Sequence, residues 1–141
     1  MKEKIIVALI GKAGAGKDTI LNSVCAHHPE YHKIISCTTR PMRENEQDGK
    51  DYHFISNDTF IHKILDGDML EATEFNGWHY GTMKSDLING INIGIFNPSG
   101  FDNLACTLPH SIGLIGIYIE CNKKERLMRQ LSRELNPDVD E

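Results

Sequence analysis

Lys4-Ile5-Ile6-Val7-Ala8-Leu9-Ile10-Gly11-Lys12-Ala13-Gly14-Ala15-Gly16-Lys17-Asp18-Thr19 is an apolar run that breaks into glycines, reaches a lysine and resumes with helix-forming residues. The run reads as a buried strand, and the stretch from Ala15 to about His27, with Pro29 just beyond it, reads as a helix. Between them the spacing G-x-x-x-x-G-K is met from Gly11 to Lys17. Glycines let successive backbone N–H groups turn inward, and the helix presents its positive dipole end, so a loop of this pattern grips polyphosphate. Gly11, Ala13, Gly14, Ala15 and Gly16 form the cradle, and Lys17 reaches back to the outer phosphates. The pattern asks for a hydroxyl next; Asp18 stands there, and the hydroxyl arrives one place later as Thr19.

A chain of 141 residues suits one α/β domain with a small insertion. Hydrophobic content of 40% and charged content of 25% are those of a globular protein, and the longest apolar run is too short to span a membrane. Lys2 and Lys4 precede only a short strand that leads into the loop, so no secretory leader is expected and the cytosol is the expected compartment. A net charge of -5 argues against a general nucleic-acid binder, which carries a basic excess. Cys25, Cys37, Cys106 and Cys121 form no CxxC pair and the seven histidines no HExxH, so the expectation is free thiols, solvent-facing His27 and His28, and no protein-built metal site.

Beyond the first helix, Lys33–Ser36 reads as a short strand, and residues 37–51 are too polar to be core. Arg40 and Arg43 flank Pro41 behind two hydroxyl residues, a combination that suits a phosphate dianion. A strand over 52–55 puts Tyr52 and Phe54 on one face, and Ser56 to Thr59 offer caps for a helix whose face carries Phe60, Ile61, Ile64 and Leu65, stopped by Gly67. Two strands, 69–75 and 78–80, flank Asn76-Gly77 as a hairpin. A strand over 91–96, a short helix from near Phe101, a strand over 112–119 and a final helix capped by Asn122 complete the chain, with Gly113 and Gly116 allowing close helix packing and Leu127 and Leu131 sharing one face of the last helix. Alternating strands and helices predict an α/β fold: a doubly wound parallel sheet with the phosphate loop at its edge of action, carrying a small mixed α+β insertion.

Ser36-Cys37-Thr38-Thr39-Arg40-Pro41-Met42-Arg43, Glu46, Gly49, Asp51-Tyr52-His53-Phe54, Glu71 and Tyr80-Gly81-Thr82 together resemble the guanylate kinase family of nucleoside monophosphate kinases, whose pattern runs S-x-T-T-R-x-x-R, G-x-D-Y-x-F, a glutamate and Y-G-S/T. With the loop in front, the resemblance covers roughly residues 4 to 135. It implies a core of residues 1–35 and 86–125, a monophosphate-binding insertion of 36–85 and the start of a lid in 126–141. It further implies an enzyme that moves the terminal phosphate of ATP, with Mg²⁺ held mainly through phosphates and water, to GMP or dGMP. Arg40, Arg43, Tyr52 and Tyr80 would hold the acceptor phosphate, and Ser36, Glu71 and Thr82 would face the base. A carboxylate such as Glu71 accepts from guanine N1–H and the 2-amino group together, a donor pair adenine lacks. Trp78 is expected to pack and Asp51 to make local hydrogen bonds.

Two roles are open to Asp18: a metal contact through water, or a helix cap. Of the basic residues Arg126, Arg129 and Arg133 on the last helix, Arg133 is the closest match to the arginine of the family's lid. Where the family carries acidic residues in the strand that re-enters the core, this chain has Ile95-Phe96-Asn97-Pro98, and beyond Glu141 the family pattern continues through a further helical region and strand. These departures leave a broader-specificity deoxynucleoside monophosphate kinase, and a guanylate-kinase-like binding module of weak or no turnover, as the alternatives. The intact loop speaks against the second.

Overall fold

The computed structural model describes residues 3–12 and 14–134, the side chains of Arg133 and Glu134 excepted. Strand β1 (Lys4–Ile10) lies at the centre of a parallel sheet, with β7 (Gly90–Ile95) on one side and β8 (Ile112–Tyr118) on the other. A two-residue β2 (His32–Lys33) extends the sheet beyond β7, giving the order β2-β7-β1-β8. An uninterrupted apolar strand must be covered on both faces, and this one is. Ile6, Ala8 and Ile10 pack with Leu104 of α3 (Pro98–Thr107) in one layer, while Leu9 packs with Leu21 of α1 (Lys17–His27) in the other. Gly116 on β8 makes room for Phe101 of α3, whose ring carbons lie 2.7 Å from where a methyl group at position 116 would sit.

From β1 the chain crosses to β2 on one side of the sheet, whereas β8 lies on the other. The reversal of strand order therefore falls at the carboxyl end of β1, where open α/β sheets bind their ligands. That end carries the glycine loop.

The second sheet has the order β4-β3-β6-β5, built from β3 (Cys37–Thr38), β4 (His53–Phe54), β5 (Met69–Phe75) and β6 (Trp78–Met83). The hairpin of β5 and β6 forms as the Asn76-Gly77 pair predicts, with φ of 53° and 81° in the left-handed region that a tight hairpin turn requires. A bulge between Met69 and Glu71 sets Glu71 opposite Thr82. Helix α2 (Asn57–Leu65) is capped by the Ser56 hydroxyl, which accepts from Thr59 N–H. Its apolar face is narrower than the spacing predicts: Phe60 is buried against Cys37 and Met83, but Ile61, Ile64 and Leu65 are exposed. The two-residue strands β3 and β4 are too short to cover more than one turn of helix. Trp78, expected to pack, sits partly exposed beside Phe75 at the hairpin tip.

Three further boundaries differ from the sequence reading. Of the strand expected over 33–36 only Lys33 is in a strand, β2, and residues 34–36 link it to β3 in the other sheet. Helix α3 begins at Pro98 and not near Phe101, because Asn97 accepts from Gly100 N–H and proline is well suited to the first helical position. Helix α1 begins at Lys17 because Gly16, at φ 96°, ends the loop. Asn122 does cap α4 (Lys123–Glu134), accepting from Glu125 N–H at 2.8 Å, although Leu127 and Leu131 on its face are exposed.

The two sheets meet at Asp86, just before β7. Its carboxylate accepts from Ile35 N–H at 2.9 Å and pairs with His32 of β2 at 3.1 Å and His53 of β4 at 3.2 Å. One side chain thus ties the end of the parallel sheet to the first pair of strands in the mixed sheet. All four cysteines are free, and among the described residues no helix is long and apolar enough to cross a membrane.

Candidate active site

The glycine loop closes as a compact turn at the head of α1. Ala15 N–H donates to Lys12 C=O at 3.1 Å, and the Lys17 ammonium bends back to Gly11 C=O at 2.5 Å. Gly14 has φ 80°, and a methyl group there would lie 2.8 Å from the Arg126 carbonyl, so both conformation and space exclude a side chain. Helix α4 therefore presses on the loop, and Arg129 donates to Gly14 C=O at 2.9 Å. Arg129 is the α4 arginine seen at the loop; the Arg133 side chain and all of Ala13 lie outside the described residues. Asp18 and Thr19 are exposed in the first turn of α1, behind Gly16 at the N-cap. Among the described residues no group of three or more His, Cys, Asp or Glu is placed to hold a metal ion. The oxygen donors of Asp18 and Thr19 do fit a hard cation that takes most of its shell from phosphates and water.

Across the cleft, a cavity of about 300 Å³ opens between the mixed sheet and the head of α3. Ser36, Tyr52, Glu71, Tyr80 and Asn97 line it, with Thr73, Phe75, Ile95 and Phe96 around them. Glu71 is largely buried, and burial raises its carboxyl above the usual glutamate range. Its Oε1 accepts from the Thr82 hydroxyl at 2.9 Å. Thr82 itself is fully buried and does not line the cavity, so it reaches a bound base only by holding Glu71.

The rim is cationic and aromatic. Arg40 lies 5.4 Å over the Tyr52 ring and 5.8 Å over Phe54, and Tyr52 meets Tyr80 edge to face at 5.9 Å. Two nitrogens of Arg40 each donate to Glu46 at 2.8 Å, and this pairing pushes the guanidinium further up from its already high range. Arg40 in turn holds the Glu46 carboxyl below its usual range. Burial raises the Tyr52 phenol, so it stays a neutral donor. Glu46 also accepts from Arg43 N–H at 2.9 Å, fixing the turn that carries both arginines. Asp51 accepts from Gln47 N–H at 2.7 Å, the local role expected of it.

Of the acceptor residues read from the sequence, Ser36, Tyr52, Glu71 and Tyr80 come together around the cavity, Arg40 stands over its Tyr52 wall, and Arg43 lies on the same turn. Sequence reasoning missed Glu46 as the anchor of Arg40, although opposite charges with only five residues between them were a signal. It also missed Asn97 as a cavity wall, which no local pattern marks.

A sequence profile described as guanylate kinase matches residues 2–95. Guanylate kinase from a Synechococcus strain is 43% identical over 89 residues, covering 63% of this chain and 49% of that protein. Guanylate kinase from Thermotoga maritima is 39% identical over 94 residues, covering 67% of this chain and 45% of that one. The chain thus spans about half the length of the curated relatives it matches. The crystal structure of guanylate kinase from Anaplasma phagocytophilum superposes with a TM-score of 0.70 over 93% of this chain and 68% of its own, at 23% identity, a likeness of fold. A glycine loop at the head of α1, a cationic rim and a matching profile over well over half of its residues converge on one conclusion: the chain belongs to the guanylate kinase family.

Proposed function

We propose that this chain is the two-site part of a nucleoside monophosphate kinase, holding ATP on the Gly11–Thr19 loop and GMP or dGMP in the cavity around Glu71. Phosphoryl transfer asks the protein to align two anions and stabilise the charge on the moving group, with little covalent work. In this reading residues 36–85 serve as the acceptor-binding insertion on a core of 1–35 and 86–125, and α4 opens the region that covers the donor.

The loop amides and Lys17 hold the donor phosphates, and Arg129, already at the loop, adds positive charge where the moving group develops negative charge. Asp18 and Thr19 would hold Mg²⁺ through water on the protein side, and the metal would supply positive charge against the donor phosphates. Arg40 and Arg43 orient the acceptor phosphate against the Tyr52 and Tyr80 hydroxyls. Glu71 accepts from the N–H edge of the base.

The observation that carries this reading is the Glu71–Thr82 pair: one oxygen is fixed by a buried hydroxyl while the other stays available at the cavity wall beneath a ring of arginine and tyrosine. The test is ADP release from ATP and Mg²⁺ with GMP, dGMP, AMP, dTMP, CMP and UMP offered in turn. Turnover with GMP or dGMP, abolished by Lys17→Met, is expected. No acceptor-dependent release with any monophosphate would sink the kinase reading for this chain.

A further inference from the structure

Among the described residues the chain passes between the two sheets twice, from β2 to β3 across residues 34–36 and from β6 to β7 across residues 84–89. Asp86 stands in the second crossing and takes hold of the first. Its Oδ2 accepts from Ile35 N–H at 2.9 Å and lies 3.1 Å from His32 Nε2, while its Oδ1 lies 3.2 Å from His53 Nε2. A carboxylate only accepts, so each ring turns an Nε2 proton toward it. The Asp86 side chain is 10% exposed, so water competes little for these contacts.

The residues held in this way adjoin the candidate site. Ile35 precedes Ser36 and His53 follows Tyr52, both of which line the cavity, and His53 N–H donates to Ser36 C=O at 2.9 Å. The turn that carries Asp86 is bolted to the mixed sheet by Asp68, which accepts from Ser85 N–H and from the Ser85 hydroxyl at 2.9 Å each. Leu87, the next residue, is buried with Ile6 and Ala8 of the parallel sheet. Within the mixed sheet the pairing does not use Asp86: Ile55 N–H donates to Thr38 C=O at 3.0 Å and Thr39 N–H to His79 C=O at 3.1 Å. Loss of the carboxylate therefore leaves the cavity walls of that sheet in place and frees the angle between the sheets. Helix α3 packs Leu104 near Leu70 of β5, but apolar contact has no preferred direction.

We propose that Asp86 is a positioning residue for phosphoryl transfer. It pins the sheet that carries Tyr52 and Tyr80 to the sheet that ends in the glycine loop, and so sets the alignment of the two nucleotides and not the affinity for either. Alignment is where such a pin matters most, because a reacting group misplaced by about 1 Å costs about a hundredfold in rate.

The proposal rests on the two-site reading above, and calorimetry of the whole chain with three titrants separates the two: GMP, ADP, and a ligand in which guanosine and adenosine are joined through a pentaphosphate. Joining two ligands raises affinity only as far as both sites are held at the right span. The joined ligand is expected to bind the parent at least about a hundredfold more tightly than GMP. Asp86→Ala should lower that advantage at least about tenfold while GMP and ADP each shift less than about threefold. In the kinase assay kcat should fall at least about tenfold with KM for GMP nearly unchanged, and Asp86→Asn, which keeps an oxygen for Ile35 N–H, should restore most of it. Should Asp86→Ala not fold, His32→Phe and His53→Phe carry the test, since each keeps a ring and removes one donor; each should weaken the joined ligand about threefold with GMP unchanged. An unchanged ratio of joined-ligand to GMP affinity in the folded variants would overturn the proposal and leave Asp86 a purely structural tie. GMP affinity falling in step with the joined ligand would overturn it as well, because Asp86 would then serve the cavity itself. A parent that bound neither GMP nor the joined ligand would overturn the two-site reading, and the proposal with it.

Discussion

Arg40 and Glu46 are joined at two points, each N–H···O contact 2.8 Å long, with both side chains about nine-tenths buried against the rim of the cavity. The pair holds the guanidinium over Tyr52, 5.4 Å from the ring centroid. Glu46→Gln keeps the shape but removes the charge and one acceptor. The expected cost is about 1–2 kcal/mol of stability, a fall in Tm of ~5 °C, together with a roughly tenfold rise in KM for the acceptor and little change in KM for ATP. The pH dependence has a definite sign. Because Arg40 depresses the Glu46 carboxyl in the folded state, the pair stabilises fully above the ordinary value of 4.5 and is lost as pH falls through the lower folded value. Denaturant titrations at pH 3 to 6 should show that acid limb in the parent and a shallower one in Glu46→Gln.

Glu71 behaves oppositely. Burial raises its carboxyl, so the folded chain takes up this proton more readily than the unfolded chain and loses stability as pH rises from 4.5 through the folded value. Glu71→Gln retains an oxygen for Thr82 and removes the buried charge. It should therefore unfold at pH 7 no more easily than the parent, while binding of GMP falls about a hundredfold or more. Acceptor affinity in the parent should also decline on the acid side at a pH above 4.5, a limb that Glu71→Gln lacks. Equal acid limbs in both proteins would show that another group titrates.

Gly14→Ala places a methyl group 2.8 Å from the Arg126 carbonyl at a backbone φ of 80°. The left-handed conformation alone costs about 1–2 kcal/mol, and the clash must be relieved by moving α4 off the loop. The expected result is a KM for ATP raised at least about tenfold with GMP binding by calorimetry intact. Parallel loss of GMP binding would mean that the two halves of the site are not separable in this way.

Asp86→Ala removes the acceptor shared by Ile35 N–H, His32 and His53. Stranding the partly buried N–H and two ring nitrogens should cost about 2–3 kcal/mol in chemical denaturation, more than Asp86→Asn, which keeps an oxygen for the backbone. A loss below about 0.5 kcal/mol would show that the carboxylate does not tie the sheets together.

Most of the molecule that carries phosphate chemistry is legible from local pattern. The loop declares itself because its glycines and lysine are contiguous, and the Asn76-Gly77 hairpin because the turn dictates its own residues. The cavity is less so. Ser36 sits just before β3, Glu71 on β5 and Tyr80 on β6, and only the family resemblance drew them together. Asn97 escaped because its visible duty is to cap α3; that it also lines the cavity depends on how α3 is docked, which no neighbouring residue encodes. The width of the α2 face failed for a similar reason: helical spacing marks which residues can be buried together, but the amount of sheet beneath them decides how many are.

Helix α3 touches both halves of the site. Its Leu104 is buried among Ile6 and Ala8 of β1 and Leu70 of β5, its Thr107 hydroxyl lies 2.7 Å from Asn103 C=O and 3.1 Å from Leu70 C=O, and its Gly100 backs onto the Glu71 carboxylate. The strand that ends in the Gly11–Thr19 loop and the strand that carries Glu71 are thus seated on the same rigid cylinder. The span from the loop to the Glu71 cavity is accordingly gauged by a layer of hydrocarbon that lines neither of them, in the way a spacer block sets the gap of a tool without entering the cut.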